Sequence, residues 1–315
     1  MNLKEVAFPA CISLAIVLAS PKVLPAQGQL FQQQLEDQIT AKLEAGQTEA
    51  ALSQARVAAA QYPKSSVLQQ LLGACLFKMG DKEEARQAFQ KAIDLDSSLP
   101  QNYYNLALLE MSDQRYQEAA GALENYLRLE PRNAEAHLLL GRAFHNLNRT
   151  IPAIEQFKKA LALDPNLPLA HYHLGYALQS QGELKAALEE FKQEIRISPA
   201  FYDSYWLAGN IALGLGDTEE AAQLFHRGIS LKPQAFQAHY GLGRTLLATE
   251  KFDEAESELR RAIKANPENV EAHYALARTY QRMGRQEDAR REYQECSALN
   301  ARRQKRSSGI AGRAP

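Results

Sequence analysis

Alanine recurs at a constant interval of about 34 residues along most of this chain. Eight positions keep the interval without slippage: Ala51, Ala85, Ala119, Ala153, Ala187, Ala221, Ala255 and Ala289. A fixed period of this length is typical of stacked repeat proteins, in which each unit buries its apolar face against its neighbours. The period therefore predicts one elongated repeat domain. Because such a domain has an extended concave surface, its usual work is binding.

Three further residue types keep the same register. Glycine precedes the alanine at one fixed distance, at Gly73, Gly141, Gly175, Gly209 and Gly243. An aromatic residue follows it one helical turn later, at Phe89, Phe157, Phe191, Phe225 and Tyr293. Proline follows it at a longer fixed distance, at Pro63, Pro131, Pro165, Pro199, Pro233 and Pro267. This pattern resembles the tetratricopeptide repeat, which has a helix with Leu-Gly, a turn, and a second helix with Ala, an aromatic residue and a terminal Pro.

The resemblance covers residues 32–303 and implies an all-α fold. The eight repeats start at residues 32, 66, 100, 134, 168, 202, 236 and 270. The implied architecture over residues 27–303 is a tetratricopeptide-type superhelical solenoid of antiparallel helix pairs. Gly and Ala at the small positions let two helices approach closely, and the aromatic residue fills the space between stacked repeats. Because Ile39 replaces the glycine in the first copy, we interpret that copy as a divergent capping repeat.

The segment between the two helices of a repeat carries its own signals. Glycine stands there at Gly46, Gly80, Gly182, Gly216 and Gly284, which predicts a left-handed backbone at these positions. Asp81 and Asp217 each stand three positions before a glutamate. This spacing predicts that both aspartates cap the start of a second helix.

The N-terminal segment, residues 1–26, has the features of an export signal. Residues 11–19 form an apolar run of signal-peptide length, and Ala26 offers a small residue for cleavage before Gln27. The run is short for a transmembrane span. We therefore predict a signal peptide over residues 1–26 and a periplasmic or secreted protein. The alternatives are an uncleaved membrane anchor and an apolar helix that packs on the first repeat.

The opposite end of the chain is basic. Residues 301–315 lack apolar periodicity, so we predict a basic, disordered tail over residues 304–315. The tail is interpreted either as a solubilising segment or as a peripheral contact with an anionic surface such as lipid headgroups. The whole chain has a net charge of −1 and a pI of about 6.7, which gives no electrostatic basis for binding nucleic acid.

The sequence contains no recognisable catalytic or cofactor motif, and we expect neither an enzyme nor a bound cofactor. Histidine recurs at the fourth position of four repeats, at His137, His171, His239 and His273. A metal site is disfavoured because stacked helices lie about 8–10 Å apart. Zinc ligands must come within about 2.0–2.3 Å of the metal. We therefore predict that these histidines are packing residues, and that Cys75 and Cys296 are buried thiols.

The resemblance also implies where a partner would bind. In the family, the first helix of each pair lines the concave groove, and the second, fifth, ninth, twelfth and thirteenth positions are the most exposed there. We assign eleven residues to this groove: Tyr104, Arg142, Tyr172, Tyr176, Trp206, Asn210, Tyr240, Arg244, Tyr274, Arg278 and Arg282. Tyr, Trp and Arg are enriched at binding hot spots, and Trp206, the only tryptophan, is the expected anchor. The alternative is that the fifth-position rings pack against neighbouring helices.

These observations favour a non-catalytic scaffold that holds a protein or peptide segment in its groove. Arginine pairs bidentately with carboxylates, so the expected partner carries acidic residues. Chaperone-binding relatives have lysine at defined groove positions, which Gln70, Tyr104 and Leu138 do not provide. Two alternatives stay open: an envelope-assembly subunit that docks through the last repeat, and a protein that binds a glycan or lipid fragment.

Overall fold

The computed structural model describes residues 26–311, with side chains described for residues 28–306. Over this range, all regular secondary structure is α-helical and comprises 16 helices, which confirms the predicted fold class. The predicted signal peptide lies outside the described residues, except for Ala26, with which the first helix begins. None of the helices in the described range is both long enough and apolar enough to cross a membrane.

The first compact unit ends at Pro165 and contains four helix pairs. Their bounds are α1 Ala26–Glu44, α2 Thr48–Gln61, α3 Ser66–Met79, α4 Lys82–Leu95, α5 Pro100–Ser112, α6 Tyr116–Leu129, α7 Ala134–Asn146 and α8 Thr150–Leu163. Each helix packs on the next one in sequence, and α3 also packs on α1 and α5. Because only two or three residues join the helices of a pair, the two helices run antiparallel.

The second compact unit begins at Asn166 and repeats this arrangement. Its helices are α9 Ala170–Ser180, α10 Leu184–Ile197, α11 Tyr202–Leu215, α12 Thr218–Leu231, α13 Phe236–Ala248, α14 Phe252–Ala265, α15 Val270–Arg282 and α16 Gln286–Ala311. Within this unit, α13 packs on both α11 and α15, so the first helices of three successive repeats adjoin one another.

The periodic glycines allow the two helices of a pair to approach closely. The ring of Phe157 is fully buried, and a Cβ atom on Gly141 would lie only 2.5 Å from it. In the seventh repeat, a Cβ atom on Gly243 would lie 2.6 Å from the side chain of Leu259. Real Cβ atoms do not come this close to other heavy atoms. The interpretation of the small residues as close-approach positions is therefore confirmed.

The turn between the two helices has one backbone conformation in all eight repeats. The five predicted glycines have φ angles of +73° to +92°, as expected. In the other three repeats the same position is occupied by Gln114, Asn148 and Glu250, with φ angles of +60°, +58° and +62°. The sequence pattern did not reveal these three, because none of them is a glycine. The turn geometry is thus set by the helix packing and not by the residue type alone.

Helix capping agrees with the prediction at one of two sites. The Asp217 side chain accepts a hydrogen bond from the N–H of Glu220 at 3.0 Å. Asp81 occupies the corresponding position, but its side chain makes no capping hydrogen bond, so that part of the prediction was wrong. The ψ angle of Asp81 is 67°, compared with 80° for Asp217. The backbone of Asp81 is therefore farther from the extended conformation that favours capping.

The predicted disorder of residues 304–315 was wrong as far as Ala311, because α16 continues to that residue. Alanine, arginine, glutamine and lysine are good helix formers, and they dominate residues 301–306. Arg306 also pairs with the carboxylate of Glu268 at 3.1 and 3.2 Å. The Arg303 guanidinium lies 3.4 Å from the carbonyl oxygen of the same residue. Residues 312–315 lie outside the described range.

Candidate functional site

Three of the four recurring histidines join the two helices of a repeat to the segment that precedes them. His239 Nε2 donates to the carbonyl oxygen of Pro233 at 2.9 Å, and His239 Nδ1 lies 2.5 Å from the carboxylate of Glu258. His137 and His273 make the same pair of contacts, with Gln156 and Glu292 as the partners of Nδ1. The structural interpretation of these histidines is therefore confirmed. Among the described residues, no group of three or more His, Cys, Asp or Glu side chains could hold a metal ion.

The two cysteines also have structural roles. Cys75 and Cys296 are free and buried, as predicted. Burial raises the pKa of the Cys75 thiol to about 12, although Lys78 partly opposes this effect. Burial also raises the pKa of Cys296, whose thiol lies 3.5 Å from the carbonyl oxygen of Val270. Both thiols therefore stay protonated at neutral pH and are poor nucleophiles.

The two predicted groove residues of the first unit are partly buried. The ring of Tyr104 lies 5.1 Å from that of Tyr126, and its hydroxyl lies 3.4 Å from the carboxylate of Glu135. Burial is the main cause of the raised pKa of Tyr104. Arg142 is also half-buried, and desolvation lowers the pKa of its guanidinium to about 10. Neither side chain is presented freely to a partner.

Two predicted groove residues of the second unit belong to its core. Tyr172 is 3% exposed, and its ring contacts those of Phe191 and Phe201 at centroid distances of 5.9 and 5.0 Å. Trp206 is 8% exposed, and its Nε1–H donates to the carboxylate of Asp203 at 3.1 Å. The expectation that Trp206 is an exposed anchor was therefore wrong, because packing has buried its ring. Tyr176 and Asn210 are half-buried.

The other five predicted residues lie together in one cavity of about 840 Å³. We call this cavity the C-terminal cleft. It is formed mainly by α13 and α15, and its lining comprises Leu213, Tyr240, Arg244, Leu247, Ala248, Val270, Glu271, Tyr274, Ala275, Arg278, Arg282, Cys296 and Asn300. The cleft therefore gathers two tyrosines and three arginines from the fifth, ninth and thirteenth positions of repeats seven and eight.

The aromatic rings of the cleft are held in place by neighbouring rings. Tyr274 is 51% exposed, and the ring of Tyr293 contacts it edge-on at 5.7 Å. Tyr240 stacks on Phe236 at 5.4 Å, with the two ring planes 13° apart. The guanidinium of Arg244 lies over the Tyr240 ring at 5.5 Å. Fixed rings lose little conformational entropy when a ligand packs against them.

The charges of the cleft are unbalanced. The Arg282 guanidinium pairs with the carboxylate of Glu250. Arg244 and Arg278 are exposed, and neither forms an ion pair within the described part of the chain. Glu271 is the one acidic residue of the lining, and its charge adds to the effect of burial in raising the pKa of Tyr240. Two arginines are therefore available for a carboxylate of a ligand.

Some lining residues were not assigned from the sequence. Leu213 and Leu247 stand at the twelfth position of their repeats and Glu271 at the second. Both positions are among those that face the groove in the family, so an assignment by repeat position could have found these three residues. Cys296 and Asn300 come from α16, the second helix of the last repeat. No rule based on first helices could have found them.

The outer side of the last repeat has a different character. A second cavity of about 600 Å³ lies there, mainly on α16, and is lined by Gln281 of α15 and by Gln286, Glu287, Ala289, Arg290, Tyr293, Gln294 and Ser297 of α16. Most of these side chains are polar. A polar outer face is what a terminal repeat presents to solvent. This surface therefore gives no specific support to docking through the last repeat.

Comparison with known families and structures identifies the same repeat. Family models described as tetratricopeptide repeat match residues 69–99, 104–168, 157–189, 212–265 and 246–304. Together these matches cover more than half of the chain. No curated protein matches the chain significantly.

Solved structures share the fold. PilF of Pseudomonas aeruginosa has a TM-score of 0.57 and 21% identity, over 66% of this chain and 94% of its own. YrrB, described as a TPR protein with an unusual peptide-binding site, has a TM-score of 0.53 and 23% identity, over 62% and 97%. A tetratricopeptide repeat protein from Parabacteroides merdae has a TM-score of 0.55 and 16% identity, over 79% and 98%. Likeness at these identities concerns the fold.

Proposed function

Because the chain belongs to the tetratricopeptide repeat family, we propose that it is a non-catalytic protein-interaction scaffold whose C-terminal cleft binds an acidic segment of a partner. The family and the fold support a scaffold role and point away from an enzyme. The cleft is the most favourable place for a partner, because five of the eleven predicted groove residues line it together.

One observation carries this proposal. Arg244 and Arg278 line the same cavity as the half-exposed ring of Tyr274, and neither arginine has an acidic partner within the described residues. An arginine in such a position is free to pair with a carboxylate that a ligand brings. The tyrosine adds apolar contact area with few rotatable bonds. Tyrosine and arginine together are the residue types most often found at binding hot spots.

A peptide selection tests the proposal. A library of random peptides is selected on the intact chain, and binding of the enriched peptides is then measured by fluorescence polarisation. We expect enrichment of Asp and Glu. We also expect about a tenfold loss of affinity in the Arg244→Gln/Arg278→Gln double variant, because each exposed ion pair contributes up to about 1 kcal/mol.

Arg227→Gln is the matched control for this experiment. Arg227 is an exposed arginine on α12 that lines a different cavity, so its loss changes the net charge without changing the cleft. Each variant must also retain the helical circular dichroism of the parent chain. Peptides that bind the double variant and the parent equally well would contradict the proposed site.

The native partner can be captured from the same surface. A photoreactive residue at position 274 lies on an exposed part of the cleft, whereas the side chain at 206 is buried. A residue at position 227 serves as the control on the second-helix side. A defined protein adduct that forms from position 274 alone supports the proposal. If native mass spectrometry instead found a retained glycan or lipid fragment, that alternative would replace the peptide partner.

We also propose that the chain is exported, because residues 1–26 have the features of a cleaved signal. The intact mass of the protein purified from its native host tests this proposal. Loss of the mass of residues 1–26, together with recovery outside the cytoplasm, is the expected result. A full-length chain recovered with membranes would indicate an anchor, and a full-length chain in the cytoplasm would contradict export.

A further inference from the structure

The spacing of the two available arginines restricts what the C-terminal cleft can bind. Arg244 and Arg278 occupy the ninth positions of consecutive repeats, on α13 and α15. These two helices pack against each other. Because the axes of packed helices lie about 8–10 Å apart, equivalent positions on them are separated by a similar distance. A ligand with two carboxylates separated by a similar distance can pair with both arginines while their side chains extend in parallel.

Only some backbone conformations provide this spacing on one side of a ligand. A polyproline II segment has three residues per turn and a rise of about 3.1 Å, so residues i and i+3 share a face about 9 Å apart. An α-helix offers about 10.5 Å between residues i and i+7. In an extended strand, residues on one face lie about 7 or 13 Å apart, and neither distance matches. The polyproline II and α-helical conformations remain.

The length of ligand that must be ordered favours one of the two. An α-helix must supply two turns between residues i and i+7, whereas a polyproline II segment needs only one turn to join the two carboxylates. The shorter segment loses less conformational entropy on binding.

The rings in the cleft favour the same conformation. Tyr240 and Tyr274 line it at the fifth positions of successive repeats, and each packs against a second ring. Grooves lined by aromatic side chains recognise polyproline II segments, because the preformed ligand has little entropy left to lose. The aromatic and the cationic residues therefore point to one kind of ligand.

We propose, on the basis of the proposed function, that the C-terminal cleft selects a proline-containing polyproline II segment with acidic residues at positions i and i+3. Arg244 and Arg278 each pair with one carboxylate, and the rings of Tyr240 and Tyr274 contact the prolines between them. Glu271 lies near the start of α15, one end of the helix away from Arg278. Its negative charge disfavours a third acidic residue of the ligand at that end of the cleft.

Synthetic peptides of fixed spacing test this inference on the full chain. The probe contains Glu-Pro-Pro-Glu between neutral proline-rich flanks. Three peptides are compared with it: Gln-Pro-Pro-Gln, an isomer with the two glutamates at i and i+2, and an alanine-rich helical peptide with glutamates at i and i+7. We expect the probe to bind about tenfold more tightly than the glutamine peptide and about fivefold more tightly than the isomer, since each exposed ion pair changes affinity by up to about fivefold.

Variants of the chain separate the possible outcomes. Arg244→Gln and Arg278→Gln should each reduce the preference for i, i+3 spacing by about fivefold, whereas Arg227→Gln should leave it unchanged. Equal affinity for the i+2 and i+3 peptides, or tightest binding of the helical peptide, would overturn the inference and leave the acidic binding site in place. If no acidic peptide binds, or if binding ignores both arginines, the proposed function itself fails.

Discussion

The fourth and seventh repeats have the same scaffold but use it differently. In both, a histidine on the first helix donates to the carbonyl oxygen of the preceding proline, and the turn contains a left-handed residue other than glycine. In the fourth repeat the second partner of the histidine is the neutral amide of Gln156, whereas in the seventh it is the carboxylate of Glu258. The ninth-position arginine is half-buried in the fourth repeat and exposed in the seventh.

This contrast shows that the sequence period specifies the helix pair but does not determine the environment of each side chain on it. Arg142 and Arg244 occupy equivalent positions, but desolvation lowers the pKa of Arg142 to about 10, whereas Arg244 lies in the C-terminal cleft over the ring of Tyr240. One position can therefore be half-buried in one repeat and line an open cavity in another. The histidine sites differ in the same way, because Nδ1 faces an uncharged amide in the fourth repeat and a carboxylate in the seventh.

The largest expected effect comes from removing the histidines. The ring nitrogens of His239 lie beside a carbonyl oxygen and a carboxylate, and the hydrogen bond to Glu258 raises the pKa of the ring, which favours its charged form. His239→Ala leaves the mostly buried carboxylate of Glu258 without this partner, and we expect a loss of about 3 kcal/mol in unfolding free energy. His137→Ala leaves only a neutral amide, and we expect about 1–2 kcal/mol. Urea denaturation of both variants measures the difference.

Hydrogen exchange provides a local control for this comparison. His239→Ala should reduce protection mainly in α13 and α14, and His137→Ala mainly in α7 and α8, because repeats interact with their nearest neighbours. Equal losses of stability at the two sites would show that the charge of Glu258 adds nothing to the contact.

The next effect concerns the glycines at which the two helices meet. Gly141→Ala places a Cβ atom 2.5 Å from the rigid ring of Phe157, and we expect a loss of about 2 kcal/mol after the gain in helix propensity is subtracted. In the third repeat, Ala107 stands opposite Leu123 in the same positions, so an alanine is accommodated beside a leucine. Phe157→Leu should therefore partly suppress the effect of Gly141→Ala.

A double-mutant cycle measures this coupling through thermal or urea unfolding. Gly243→Ala is the counterpart in the seventh repeat, where the new Cβ atom would meet Leu259 at 2.6 Å. Since leucine changes rotamer more easily than a buried ring can shift, we expect the smaller loss at Gly243. A larger loss at Gly243 than at Gly141 would show that the leucine is as constrained as the ring.

Much of the fold was predictable because its signals are local and periodic. The contact of Gly141 with Phe157 repeats at fixed spacings, so the sequence reveals helix, turn and close approach together. The exposure of Trp206 could not be predicted in this way, because it depends on which neighbouring side chains cover the ring. Helical structure in residues 304–311 was also missed, since it rests on helix propensity and on contacts of α16 with Glu268, and not on an apolar period.

A smaller effect is the pH dependence of the charged pair. The hydrogen bond to Glu258 is the main cause of the raised pKa of His239, whereas burial and the charge of Arg261 oppose it. This stabilisation is fully present below the usual histidine pKa of 6.5 and is lost as the pH rises through the pKa of the folded state. Burial raises the pKa of Glu258, but His239, Arg261 and His226 together lower it below 4.5. The contribution of Glu258 to stability is therefore present above pH 4.5 and is lost as the pH falls through the pKa of this carboxyl in the folded state.

Glu258→Gln converts this site into a copy of the one at His137. We expect the stability difference between the parent chain and this variant to be largest between about pH 4.5 and 6.5. Above this window it should shrink by at most about 1.4 kcal/mol per pH unit. Urea midpoints measured from pH 4 to 9 provide the test. A difference that does not change with pH would contradict an ionised pair.

The smallest expected effect concerns the left-handed turn residues. Asn148→Gly should change stability by only a few tenths of a kcal/mol, because asparagine tolerates this conformation. Glu250→Gly removes a strain of about 1 kcal/mol but also removes an exposed ion pair with Arg282, so we expect a net gain in unfolding free energy of about 0.5 kcal/mol.

Losing Glu250 also frees Arg282 in the C-terminal cleft, and acidic peptides should bind this variant about twofold more tightly. Arg282→Gln in the same background should abolish that gain and leave the stability gain intact. If the affinity gain persisted without Arg282, the turn would affect the cleft through the backbone and not through charge.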